Sequence, residues 1–189
     1  MESTMRIKNI IVLSCAMSIP TLSYSEDFDV QAQATIIMPI GIANMQSINF
    51  GDIDYSSSSA GGDIVLSVDG TMNTGATGFT SSSSAVGSFD ITSVAGEIIQ
   101  ITCNADATLA HAADQNISLQ MKETSYVMNQ GSLILSCGSS ITGSFITSGT
   151  DSLSIGATLV VPAGGSIQSG GYSTQNTGGL PITFNISYQ

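Results

Sequence analysis

Over its last eight residues the chain alternates without a break. Ile182, Phe184, Ile186 and Tyr188 are separated by Thr183, Asn185, Ser187 and Gln189. A period of two puts every apolar side chain on one face of an extended strand, and a helix cannot do this. The same rhythm opens the chain's body, where Phe28, Val30, Ala32, Ala34 and Ile36 alternate with Asp29, Gln31, Gln33 and Thr35. It predicts strands over residues 63–68, 89–94, 98–103 and 152–161, with shorter ones over 40–48, 117–121, 126–128, 133–137 and 145–147. Turns are expected over 49–52, 70–78 and 95–97, a Ser/Gly loop over 56–62, a Ser-rich tip at 81–84, and a loop over 105–116. Many short strands with Gly/Ser turns and no convincing helix predict an all-β sandwich with Greek-key connections. Gly and Ser are spread evenly, so no linker divides the chain and one domain is expected.

The N-terminus reads as an export signal. Arg6 and Lys8 precede the short apolar run Asn9–Met17, and Ser23 and Ser25 place small side chains before a cleavage point ahead of Glu26. The run is too short to span a bilayer as a helix. Met5 is a plausible true start, since the basic region begins there. Val12-Leu13-Ser14-Cys15 offers a second reading as a lipid-attachment box, which Leu13 and the scant apolar sequence before Cys15 fit poorly. Cleavage after residue 25 removes Cys15 and leaves Cys103 and Cys137. In an exported protein an even pair is most simply one disulfide, the other reading being two buried thiols.

Charge narrows the function. Residues 1–25 carry Glu2, Arg6 and Lys8; without them 13 of the 14 acidic residues face Lys122 alone, a formal charge of −12. A surface with one cation cannot neutralise phosphates, so neither nucleic-acid binding nor docking on anionic lipid is expected, nor membrane insertion. Catalysis is not expected either. His111 is the single histidine, no G-x-S-x-G elbow accompanies the many serines, and His111 is read as an exposed loop residue. No catalytic residue and no cofactor are expected. Asp52, Asp54 and Asp63 have some of the spacing of a calcium loop, but Ser57 stands where its glycine belongs and Asp63 replaces its glutamate; an acidic turn is the commoner meaning, and no metal is assigned. The sequons at Asn116 and Asn185 matter only in a glycosylating host, and Asn185 sits inside an expected strand. The five tyrosines do not group into a sugar-stacking platform.

What remains is assembly. Pro39 separates the alternating segment 28–36 from the rest, and proline in a sheet belongs to edges, strand starts and bulges. An open sandwich edge accepts a strand from another chain, and the small Ala32 and Ala34 suit a narrow groove. From the pattern alone, residues 28–36 pair equally well within their own domain.

The runs Ala34-Thr35-Ile36-Ile37-Met38-Pro39-Ile40-Gly41-Ile42, Ile48-Asn49-Phe50-Gly51-Asp52-Ile53, residues 156–164, Gly171-Tyr172 and residues 182–188 resemble a widespread, uncharacterised family of secreted bacterial β-domains, themselves similar to pilin subunits of chaperone–usher fimbriae. The resemblance covers nearly the whole exported chain. It implies an immunoglobulin-like Greek-key sandwich that is incomplete and completed by a donated strand. It further implies residues 26–36 as the donor extension (Phe28, Val30, Ala32, Ala34, Ile36), residues 37–189 as the pilin-like domain, and Ile182, Phe184, Ile186 and Tyr188 as the groove-edge strand that faces a chaperone. Two features differ from better-known fimbrial subunits: Asn176 replaces a glycine near the fourteenth position from the end, and the cysteines are central. The expected function is a structural subunit of a bacterial surface fimbria, polymerising by strand donation in adhesion or biofilm formation. Its expected partners are copies of itself or related subunits, a periplasmic chaperone and an outer-membrane usher, and its expected place is the cell surface, reached through the periplasm. The alternative is a monomeric exported binding module or adhesin that recognises a ligand through its Ser/Gly-rich loops.

Overall fold

The computed structural model describes residues 38–54, 60–74, 80–138, 143–163 and 167–189. The signal segment 1–25 and the extension 26–36 lie outside them. The described residues belong to one compact unit.

Among them every regular element is a strand. In chain order these are β1 (Gly41–Gln46), β2 (Asp52–Asp54), β3 (Gly62–Leu66), β4 (Met72–Thr74), β5 (Thr80–Ser82), β6 (Gly87–Thr92) and β7 (Ile98–Cys103). There follow β8 (Ala107–His111), β9 (Ser118–Met128), β10 (Leu135–Ser136), β11 (Gly143–Ile146), β12 (Thr150–Val161), β13 (Tyr172–Ser173) and β14 (Phe184–Tyr188). The protein is an all-β sandwich. One large curled sheet runs β1-β6-β12-β9-β8-β13, with β10 on β9 and the β3–β4 hairpin on β12. A narrow sheet, β11-β7-β14, lies across from it, and β2 pairs with β5.

The curl comes from the two long strands. β12 pairs β6 through Ile155↔Gly87, then switches on the same side to β3 from Ala157↔Leu66 onward. Gly156 sits at the handover, where a Cβ would lie 2.4 Å from the Leu66 carbonyl oxygen. On its other side the β9 register shifts between Gly156 and Thr158, beside Glu123 with φ of 50°. Such a bulge bends and twists the strand locally.

Two core clusters follow. Under the narrow sheet, Phe89, Ile91, Leu153 and Ile155 meet Ile99, Ile101 and Tyr126. At the other end, Ile64, Leu66, Leu119, Met121, Leu159 and Val161 pack with Phe50. Burying such side chains contributes about 1.5–3 kcal/mol each.

Five expectations are corrected. Residues 105–116 are not a plain loop, because β8 pairs there with β9. The expected strands 117–121 and 126–128 are one strand, β9. The turn-rich stretch 70–78 contains β4, and the Ser-rich tip contains part of β5, paired to β2 through Ile53↔Ser81. His111 is buried at 5% exposure, at the end of β8, and is not an exposed loop residue.

Candidate functional site

The half-buried apolar residues of β14 give the site its shape. Phe184, Ile186 and Tyr188 alternate with exposed Asn185 and Ser187. Their side chains pack against the cluster beneath the narrow sheet. The Phe184 ring meets Phe89 edge-on at 5.4 Å and Tyr126 at 5.9 Å. Burial pushes the Tyr126 phenol up from its ordinary pKa, and its hydroxyl donates to the Ile101 carbonyl at 3.2 Å. Ile182, the fourth residue of the expected groove-edge set, is not with the other three: it lies before β14 and packs against the opposite cluster.

β14 pairs along one side with β7, from Phe184↔Cys103 to Tyr188↔Ile99. Among the described residues no strand pairs its other side. Which backbone groups face that side follows from parity. Asn104 N–H bonds the Thr183 carbonyl and Gln189 N–H bonds the Ile98 carbonyl, so the odd residues carry the ladder to β7. In an antiparallel pair the alternate residues turn N–H and C=O the other way. Phe184, Ile186 and Tyr188 therefore present both their backbone groups to the open edge.

Going from β11 through β7 to β14, the narrow sheet crosses the large one from β9 toward β6, as Tyr126–Phe145 and Phe89–Phe184 record. Beyond β6 lies β1, the last strand of its sheet. The two edges differ in how they are protected. β1 is interrupted by a bulge at Asn44, with φ of 51°, whose side-chain amide donates to Asp90. β14 has regular register, no charge and no proline. Natural sheets usually blunt an exposed edge with one of those devices. Met38 and Met45, at 58% and 78% exposure, add apolar surface on the β1 side.

Cys103 and Cys137 form a disulfide with Cα atoms 4.9 Å apart, tying the end of β7 to the residue after β10 and so joining the two sheets. Asp52 and Asp54 lie on β2 and Asp63 on β3, in strands and not in a loop. Among the described residues no three Asp, Glu, His or Cys side chains come together. No described helix is long and apolar enough to cross a membrane. The donor residues Phe28, Val30, Ala32, Ala34 and Ile36 lie outside the described residues.

A second concavity, of about 720 Å³, sits at the other end of the sandwich. Leu109, Leu119, Leu159 and Val161 form its floor, and residues 167–172 one wall. The sequence reading missed it, because residues 48–54 and 167–172 meet there only through the fold.

No curated protein and no solved structure matches the chain significantly. A family model described as a domain of unknown function, DUF4402, matches residues 40–184, well over half of the sequence, and the chain belongs to that family.

Proposed function

We propose that the protein is a structural subunit of a bacterial surface filament, assembled by donation of the segment around residues 28–36 of one copy to the β14 edge of the next. The observation that carries this reading is the undefended edge of β14, with three apolar side chains and three sets of outward backbone groups at the spacing a strand needs. A donated strand satisfies the backbone groups and covers the half-exposed apolar ones at once. A head-to-tail contact of this kind does not close, and so grows a filament. The family's printed description assigns no function, and the likeness to fimbrial pilins belongs to this proposal.

Strand direction favours donation between copies over pairing within one chain. Gly41 opposes Thr92, close to Val94, whose N–H bonds the Tyr188 hydroxyl. The chain thus enters β1 at the Tyr188 end of β14. A preceding segment folded straight back along β14 would run parallel to it, and would have to reverse next to Pro39. Every pairing between described strands is antiparallel, and parallel pairing is slightly weaker per residue. A segment from a second copy is free to enter antiparallel. An exported subunit with such an edge needs a periplasmic chaperone to cover it and an usher to release it at the cell surface, and both are part of the proposal.

The test compares the protein lacking residues 26–36 with the exported chain, by size exclusion and on unboiled SDS gels, and then adds the segment back as a peptide. Ladders in the exported chain, none after truncation, and capture of the peptide are expected. A folded monomer in both cases, indifferent to the peptide, removes the filament reading. The cavity floored by Leu119 and Leu159 then makes a monomeric binding module the better account.

A further inference from the structure

The outer face of the narrow sheet carries no charged side chain. Ile99 and Ile101 of β7 are buried, so Ile98, Gln100 and Thr102 point the other way. Residues directly opposite in an antiparallel pair share a face. On the β11 side, Ile146 therefore stands beside Ile98 and Ser144 beside Gln100. On the β14 side, Ser187 stands beside Gln100 and Asn185 beside Thr102. Residues 26–189 as a whole have a formal charge of −12, which makes such a face unusual in this chain. Ile98 and Ile146, at 41% and 74% exposure, form an apolar ridge at one end of it. At the other end a shallow hollow is lined by Thr102, Asn104, Thr183 and Asn185.

We propose that this face is a self-association surface, on which a second copy packs face to face about a two-fold axis lying across the strands at Gln100. Three features select a second copy. Two chains of this charge repel, and an uncharged face is where they approach at least cost. Ser, Thr, Asn and Gln side chains both donate and accept, so such a face satisfies its own image, as a face of carboxylates cannot. Ridge and hollow lie at opposite ends, and the axis lays the Ile98 end of each copy over the Thr102 end of the other, the reciprocity of an isologous contact. The same axis sends Glu97, just before β7, toward the second copy's hollow and away from its own image. The face is small: three strands about 4.8 Å apart and five residues of about 3.4 Å each cover on the order of a few hundred Å², against about 800 Å² per partner in a stable complex. A single pair is therefore weak, and repetition strengthens it. Along a filament the face recurs in every subunit and ties neighbouring filaments side by side. That consequence rests on the filament reading, whereas the contact itself uses a face and leaves the β14 edge free.

The test is chemical cross-linking of the exported chain. Its native cysteines are paired, so Gln100→Cys supplies one free thiol, placed on the proposed axis. A bis-maleimide of about 10 Å reach matches the spacing of sheets packed face to face. Gln120→Cys is the control, exposed on the outside of β9 between buried Leu119 and Met121. Covalent dimer on boiled SDS gels is expected to form about ten-fold faster at Gln100 than at Gln120, because thiols held together meet at a raised effective concentration. Ser144→Glu with Ser187→Glu sets carboxylates against their own images, and is expected to bring the Gln100 rate down to that of the control. Both serines are exposed, so an unchanged melting temperature is expected. Equal rates at Gln100 and Gln120 overturn the proposal, whatever the Glu pair does to folding. So does a Gln100 rate that the Glu pair leaves unchanged in a folded protein. Unboiled gels without cross-linker read strand donation separately: ladders with no preference for Gln100 keep the filament and remove this surface, and a preference for Gln100 without ladders does the reverse.

Discussion

The Tyr188 hydroxyl accepts a hydrogen bond of 3.0 Å from the Val94 backbone N–H, so the last aromatic residue of the chain, on the narrow sheet, is fastened to the end of β6 on the large one. The bond sits beside the Ala95-Gly96 crossover that carries the chain from β6 to β7. Tyr188→Phe keeps the ring and leaves a partly buried N–H without its acceptor. A loss of about 1 kcal/mol in urea unfolding is expected. An unchanged midpoint with an unchanged m-value would mean that water replaces the hydroxyl at no cost.

The disulfide closes a segment of 34 residues that spans the turn between β8 and β9 and reaches past β10. Chain entropy gives it about 3–4 kcal/mol. Cys103→Ala with Cys137→Ala is expected to lower the guanidinium midpoint accordingly, and reductant to do the same to the wild type while leaving the double variant untouched. Equal midpoints for both proteins would show that the sheets hold together without the bridge.

Asp151 is buried at the start of β12, and its carboxylate is surrounded by donors. The Asn129 amide lies 2.7 Å from Oδ1, the Ser148 hydroxyl 2.7 Å from the same oxygen, and the Ser148 N–H 3.0 Å from Oδ2. Burial pushes its pKa up, but these hydrogen bonds more than offset that and hold it below the usual carboxylate value. A lowered folded value means stability that is present above the unfolded pKa of about 3.9 and lost as pH falls through the folded one. Asp151→Asn is expected to cost about 2–4 kcal/mol at neutral pH and to flatten the acid limb of the stability profile. Parallel acid limbs in the two proteins would assign that limb to other carboxylates.

How legible the fold was depended on burial pattern. β7 and β14 were expected nearly where they are because their apolar side chains alternate with polar ones, and β12 because it is a long apolar run, buried on both faces from Ile155 to Leu159. β8 was missed because its buried residues, Ala107, Ala110 and His111, are small or polar and carry no hydrophobic rhythm. β9 was split because Lys122 and Glu123 are exposed in mid-strand, at the bulge where it passes β12. The alternation at 182–188 was visible. That the strand lies at an edge, and that Ile182 leaves its set for the other cluster, depends on contacts far apart in sequence.

Gly156 offers a sharp packing test. Besides the Leu66 oxygen at 2.4 Å, a Cβ there would meet Ser67 C and Val68 N at 2.8 Å, all of them backbone. Backbone in the β3–β12 ladder cannot swing aside as a flexible side chain does. Gly156→Ala is expected to cost about 1–3 kcal/mol by overpacking, although alanine is normally the better strand residue. A neutral effect on the melting temperature would show that β12 can shift its handover by a residue.

Two prolines on neighbouring positions of β14 separate folding from strand acceptance. Parity places the Ser187 N–H in the ladder to β7 and the Ile186 N–H at the open edge. Ser187→Pro removes a bond the sandwich needs and crowds Gln100, so a loss of about 3 kcal/mol or more, or failure to fold, is expected. Ile186→Pro spares the ladder, because proline is tolerated where the missing N–H faces outward from an edge strand. Its side chain still covers the Phe184 end of the core, so a cooperative melt at a modestly lower temperature is expected. The same proline removes the central donor of the acceptor edge and thrusts its ring toward any incoming strand. Peptide 26–36 should therefore bind the wild-type truncation and not the Ile186→Pro form, as read by anisotropy of a labelled peptide. Binding of equal strength to both would place the acceptor somewhere other than β14.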